Sequence, residues 1–144
     1  MLPESELMRL KALVSSRLHQ RSPIMDDQVI AENVSLASGA DQYLKQYIDV
    51  EPYSLILVFC KATFSASTNN HLYIDVRSKP PGGSPESTEN YDRLILANNT
   101  SSPYSRIGWL LVDARPLKEI SIYAESLDTA DTININFCSI RKVI

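Results

Sequence analysis

The chain has 144 residues but only two cysteines, two histidines, four glycines and one tryptophan, and each shortage excludes a class of chemistry. Cys60 and Cys138 form no Cys-x-x-Cys pair, and His19 and His71 lie far apart, so no zinc-site spacing is present. Both cysteines sit in apolar runs and read as buried free thiols acting as small hydrophobes. A disulfide between neighbouring strands is the alternative, because sequence carries no distance. Pro80-Pro81-Gly82-Gly83 lacks the spacing and the following helix of a phosphate cradle, and no Gly-x-Ser-x-Gly elbow occurs.

An excess of charge of one sign is lacking as well. The net charge is −3 and no basic stripe is visible, which argues against a grip on nucleic acid phosphates. No apolar run approaches the ~18 residues of a membrane-spanning helix. Glu4, Glu6, Arg9, Lys11 and Arg17 interrupt the first twenty residues, so no signal peptide is expected there. Asn33, Asn98 and Asn99 head sequons, which without an export signal read as chance.

What the chain does have is a helical start followed by alternation. Pro3 at a first helical position and Glu4 and Glu6 in the first turn open a helix of about 18 residues. Leu7, Leu10, Val14 and Leu18 lie along one stripe, Arg17, His19, Gln20 and Arg21 crowd the last turn, and Ser22-Pro23 stops it. From Gln28 onward the period changes to two, and in the last strand Ile133, Ile135 and Phe137 are expected to face inward. Residues 29–36, 54–66, 71–78, 91–97, 107–113, 117–125 and 132–143 read as strands, and 43–50 as a strand or bent edge segment. In "SLILVFCKATFSA", residues 54–66, apolar residues fall on both parities, which predicts a strand covered on both faces at its start. Residues 79–90, "KPPGGSPESTEN", form a low-complexity loop.

Regular short strands after one helix predict a mainly β chain: an antiparallel β-sandwich, jelly-roll-like, with one N-terminal amphipathic α-helix. Residues 1–22 would be a helical arm and residues 28–144 the sandwich domain.

Candidate chemistry is thin. His71 and Asp75 share one strand face about 13 Å apart, too far for a mutual hydrogen bond, and read as a solvated face. Asp26-Asp27, Asp41, Asp49, Glu51, Asp113, Asp128 and Asp131 fall near strand ends, where turn-forming roles compete with calcium binding, and no Asp-x-Asp-x-Asp spacing occurs. No metal site, cofactor or catalytic residue is expected. Seven tyrosines and Trp109 raise a sugar-binding alternative, with Tyr73 and Tyr123 as outward aromatics. Trp109 shares its strand side with Ile107 and Leu111 and is expected in the core.

The helix has three readings. It packs across its own sandwich, it joins copies of itself through Leu7, Leu10, Val14 and Leu18, or it docks on another protein. Residues 107–140, "IGWLLVDARPLKEISIYAESLDTADTININFCSI", add a pattern: an aliphatic strand ending in Asp, an I-x-I-x strand, a turn and a last strand. This pattern resembles the closing strands of small bacteriophage virion proteins, of the capsid cement, decoration or tail-adaptor kind. The resemblance implies a non-enzymatic jelly-roll module that forms a homo-oligomer, with a trimer favoured. It would bind a larger coat or tail protein, with neither nucleic acid nor membrane as partner. It would be made in the host cytoplasm and reside in the virion. No functional residue is carried across.

Overall fold

A computed structural model describes residues 3–6, 8–9, 25–65, 70–78, 89–98, 104–128 and 130–144. Residues 4–6 and 8–9 are helical, and the Glu6 amide donates to the Pro3 carbonyl at 3.0 Å, which agrees with a helix opened by Pro3. Leu7, Leu10, Val14 and Leu18 lie outside the described residues.

Eight strands follow: β1 (Met25–Leu36), β2 (Asp41–Asp49), β3 (Leu55–Phe64), β4 (Asn70–Ser78), β5 (Glu89–Asn98), β6 (Tyr104–Asp113), β7 (Glu119–Ser126) and β8 (Ile133–Val143). They form two antiparallel sheets of four, in the orders β1-β8-β3-β6 (sheet A) and β2-β7-β4-β5 (sheet B). The pairings nest: β4 with β5, β3 with β6, β2 with β7, and β1 with β8. The chain is thus one long antiparallel ribbon, folded back on itself between β4 and β5. Two further pairings, β3 with β8 and β4 with β7, roll this ribbon into two layers. That is the jelly-roll arrangement, and it lets the central strands bury one face against the opposite sheet, while edge strand β2 buries only Ile48.

The buried parity follows the alternation on most strands. Ile56, Val58, Cys60, Ala62 and Phe64 point inward from β3, and Leu72, Ile74 and Val76 from β4. Ile120, Ile122 and Ala124 of β7 and Ile133, Ile135 and Ile140 of β8 complete the core. Each such side chain, removed from water, contributes roughly 1.5–3 kcal/mol before ordering costs. Cys60 and Cys138 face each other across β3 and β8, buried and free. A hydrogen bond to Cys60, reinforced by burial, pushes the Cys138 thiol far up and leaves it unreactive.

Two expectations about facing are corrected. Trp109 is not in the core: it is 72% exposed, with Ile107 at 64% and Leu111 at 62% beside it. The other parity of β6 faces inward, because β5 packs against Gly108. A Cβ on Gly108 would meet Leu96 Cδ2 at 2.5 Å and Leu94 Cδ1 at 3.1 Å, so these leucine side chains of β5 fill the space a larger residue would take. Phe137 also turns outward. The β3–β8 register slips between Lys61 and Ala62, leaving Asn136 as the extra residue and reversing the parity beyond it. The second apolar face expected on β3 exists, but among the described residues no strand covers it.

Candidate functional site

The two outer faces of the sandwich differ in chemistry. On sheet A, cross-strand register places Val29, Ser139, Phe59 and Trp109 in one row. Asp27, Arg141, Leu57 and Leu111 form the next row, and Phe137, Lys61 and Ile107 the one on the other side. Phe59 and Phe137 meet edge to face, with centroids 6.2 Å apart. The result is a continuous apolar surface centred on β3 and β6. It holds two shallow depressions, one of about 390 Å³ lined half by Val29, Leu57, Phe59 and Phe137 and half by the polar Asp27, Gln28, Ser139 and Arg141, and one of about 290 Å³ lined by Leu57, Trp109 and Leu111. At its β1 margin Arg141 grips Asp27 through Nε–Oδ1 at 2.7 Å and Nη2–Oδ2 at 3.1 Å. That hydrogen-bonded guanidinium holds the Asp27 carboxyl below its usual range.

Sheet B presents a closed polar lattice instead. Asp75 is fully buried although its side chain is on the outer face, which corrects the solvated reading. Arg93 from β5 donates Nε to Asp75 Oδ1 at 2.6 Å and Nη2 to Oδ2 at 3.0 Å, and this bond raises the Arg93 pKa. The Arg93 guanidinium lies 4.1 Å over the Tyr73 ring, and that of Arg77 lies 3.7 Å over the Tyr123 ring. Tyr43 meets Tyr123 edge-on at 4.9 Å, and Arg77 Nε donates to Asn90 Oδ1 at 2.9 Å. A hydrogen bond to Asp41, helped by burial, pushes the Tyr123 hydroxyl up to about 12.

Tyr73 and Tyr123 are therefore brought together on one outer face, each with an arginine on its ring, while Trp109 stands on the opposite sheet. The three residues of the sugar-binding alternative do not share a surface. The carboxylates at strand ends have local structural partners. Asp128 Oδ1 accepts from the amides of Ala130 at 2.8 Å and Asp131 at 3.0 Å, and Asp113 pairs with Arg115 at 2.6 Å. Asp26 pairs with Lys142 at 3.1 Å, and Asp49 Oδ1 accepts from the Glu51 amide at 3.0 Å. The feature that sequence reading missed is the sheet A face itself. Its signal was the doubled apolar parity of residues 55–60.

The fold is an antiparallel jelly-roll-like β-sandwich with one outer apolar face that the described residues leave uncovered. No family model and no curated protein matches the chain, but solved structures do. A chain of the T13 infectious bursal disease virus particle is 12% identical, with a TM-score of 0.54 over 83% of this chain and 30% of that one. A second, from the Gt strain of the same virus, is 13% identical, with a TM-score of 0.53 over 85% of this chain and 33% of that one. This chain thus spans about a third of the viral chains it matches. A CBM4 structure is 14% identical over 85% of this chain and 73% of that one, but its TM-score of 0.49 is too loose to carry an argument. The likeness to the virus particle establishes a shared fold and no more.

Proposed function

We propose that this chain is a non-enzymatic structural protein of a virion, of the cement or decoration type, that works by joining a larger symmetric assembly. The observation that carries the reading is the open apolar face of sheet A. Soluble monomers seldom leave a contiguous patch of this kind uncovered, and such patches mark interaction sites. Trp109, Ile107, Leu111 and Val29 each keep more than half of their surface exposed. Burying the remainder yields roughly 4–8 kcal/mol in all. Association itself costs ~4–15 kcal/mol, so one such contact is weak and repeated contacts in a symmetric array are what make it hold. The jelly-roll-like fold is compatible with the same reading, in which the stripe of Leu7, Leu10, Val14 and Leu18 expected from the sequence would supply a second contact to neighbouring copies or to a coat or tail protein. In this reading the protein is made in the host cytoplasm and acts in the virion.

Light scattering and electron microscopy on the intact chain beside Leu10→Asp test the proposal. Symmetric oligomers or larger particles are expected, with Leu10→Asp lowering the mass while the far-UV spectrum stays β-rich. A carbohydrate-binding module is the second reading, favoured by the exposed Trp109 ring alone. A monomer that binds soluble polysaccharides and loses them on Trp109→Ala would replace the virion reading.

A further inference from the structure

Each sheet ends in two edge strands, β1 and β6 in sheet A, β2 and β5 in sheet B. Unpaired edges invite pairing with other chains, and proteins blunt them with bulges, charges and prolines. Three of the four edges are blunted in this way. β1 carries Asp26, Asp27 and Glu32 and a register shift between Val29 and Ala31. β2 carries Asp41 and Lys45, two register shifts, and Tyr47 at φ 58°. β5 carries Asp92 and Arg93, and its register with β4 shifts between Val76 and Arg77.

β6 carries charge only near its ends, at Arg106 and Asp113, and has none of these devices along its middle. Its register with β3 runs unbroken from Tyr104 to Asp113. From Ile107 to Val112 it carries no charge and no proline. Among the described residues it pairs with β3 alone. Its outward row is also symmetric in chemistry about Trp109. Ile107 and Leu111 stand two residues either side of it, and Ser105 and Asp113 four residues either side.

We infer that β6 pairs antiparallel with β6 of a second copy, about a two-fold axis at Trp109, joining two A sheets into one of eight strands. In this register Trp109 faces its own counterpart, Ile107 faces the partner's Leu111, and the Ser105 hydroxyl faces the partner's Asp113 carboxylate. Gly108 lies opposite the partner's Leu110, small against large. Cross-strand pairs of this kind are the stabilising unit of a sheet, and an isologous contact of this kind closes on itself instead of propagating. The contact between two single strands falls below the ~1,200–2,000 Å² of a standard interface, so dissociation in the micromolar range is expected. The inference stands on the edge geometry and does not require the virion reading. A trimer, if one forms, is made by other surfaces.

Sedimentation equilibrium over micromolar to several-hundred-micromolar protein tests it on the intact chain. Ile107→Lys alone and Leu111→Glu alone each place a charge against an aliphatic side chain on both sides of the two-fold, and each is expected to halve the particle mass. The double variant Ile107→Lys/Leu111→Glu sets opposite charges face to face and is expected to restore it. Ile95→Lys, exposed on edge strand β5 of the other sheet, is expected to leave the mass unchanged. The pairing is overturned if the wild-type chain has no two-fold component, if the single variants keep the wild-type mass, if the double variant stays at half, or if Ile95→Lys halves the mass and so moves the pairing to the β5 edge. A mass that falls with Leu10→Asp but not with Ile107→Lys refutes the edge pairing while leaving the virion reading intact. Far-UV spectra of all variants confirm folding, since residues 107 and 111 are more than 60% exposed.

Discussion

Arg93→Ala strands a charge. Asp75 has no accessible surface, and both of its carboxylate oxygens take their donors from Arg93, at 2.6 and 3.0 Å. Removing one partner of a fully buried pair costs ~3–5 kcal/mol, because the other charge is left uncompensated. Arg93 is 36% exposed, so water reaches part of the gap, and about 2–3 kcal/mol is the discounted figure. For a chain of this length that corresponds to a fall in Tm of roughly 6–10 °C. Removing both partners is a different perturbation. Asp75→Val/Arg93→Ala replaces the buried carboxylate with a β-branched side chain that suits a central strand, and most of the loss is recovered. Urea unfolding of the wild type, both single variants and the double variant gives the coupling free energy, expected at about 1.5–3 kcal/mol. A coupling below about 0.5 kcal/mol, with the double variant as unstable as Arg93→Ala, would refute the reasoning: Asp75 would then be satisfied by something other than Arg93.

Two further outcomes follow from the packing and the titration of named groups. Gly108→Val drives its Cβ into Leu96 and Leu94, which are themselves buried. A loss of about 1–3 kcal/mol is expected in urea unfolding, and an unchanged midpoint would show that β5 moves aside freely. Tyr123 has a folded-state value raised to about 12, above the ~10 of free tyrosine, so folding favours the neutral hydroxyl. Its stabilising contribution is present below about pH 10 and is lost as the pH rises towards 12. Tyr123→Phe should therefore lose less stability than the wild type between pH 9 and pH 11, and parallel losses in the two proteins would contradict the Asp41 hydrogen bond.

The strands were legible because alternation is a local property. Residues 71–78 or 132–143 carry their period whatever surrounds them, and the polar and proline-rich segments separate them cleanly. The facing of β6 was not legible. Both parities of residues 107–112 are apolar, except that one includes Gly108. What selects the inward side is the approach of Leu94 and Leu96 from β5, a contact between strands that the alternation of β6 does not encode. Phe137 failed for a related reason: one extra residue at Asn136 reverses a parity that the sequence pattern extends unbroken. Asp75 was placed correctly on its outer face. Its burial depends on Arg93 and on the tyrosines of neighbouring strands, whose register no local pattern supplies. The nesting of the pairings, which makes the two sheets, is likewise a long-range property. The open face was half visible, since the doubled apolar parity of residues 55–60 called for a second cover, and only the assembled sandwich shows that its own strands do not provide one.

The central claim is that the sheet A face is open in the single chain and covered on assembly, and Trp109 reports on it directly as the only tryptophan. Its emission and acrylamide quenching, followed from nanomolar to several-hundred-micromolar protein beside light-scattering mass, are the most direct measurement. The account predicts red-shifted, readily quenched emission at low concentration, with a blue shift and protection that rise together with the mass. A mass that rises while Trp109 stays fully quenchable, or an emission already blue-shifted and protected in the monomer, would contradict it.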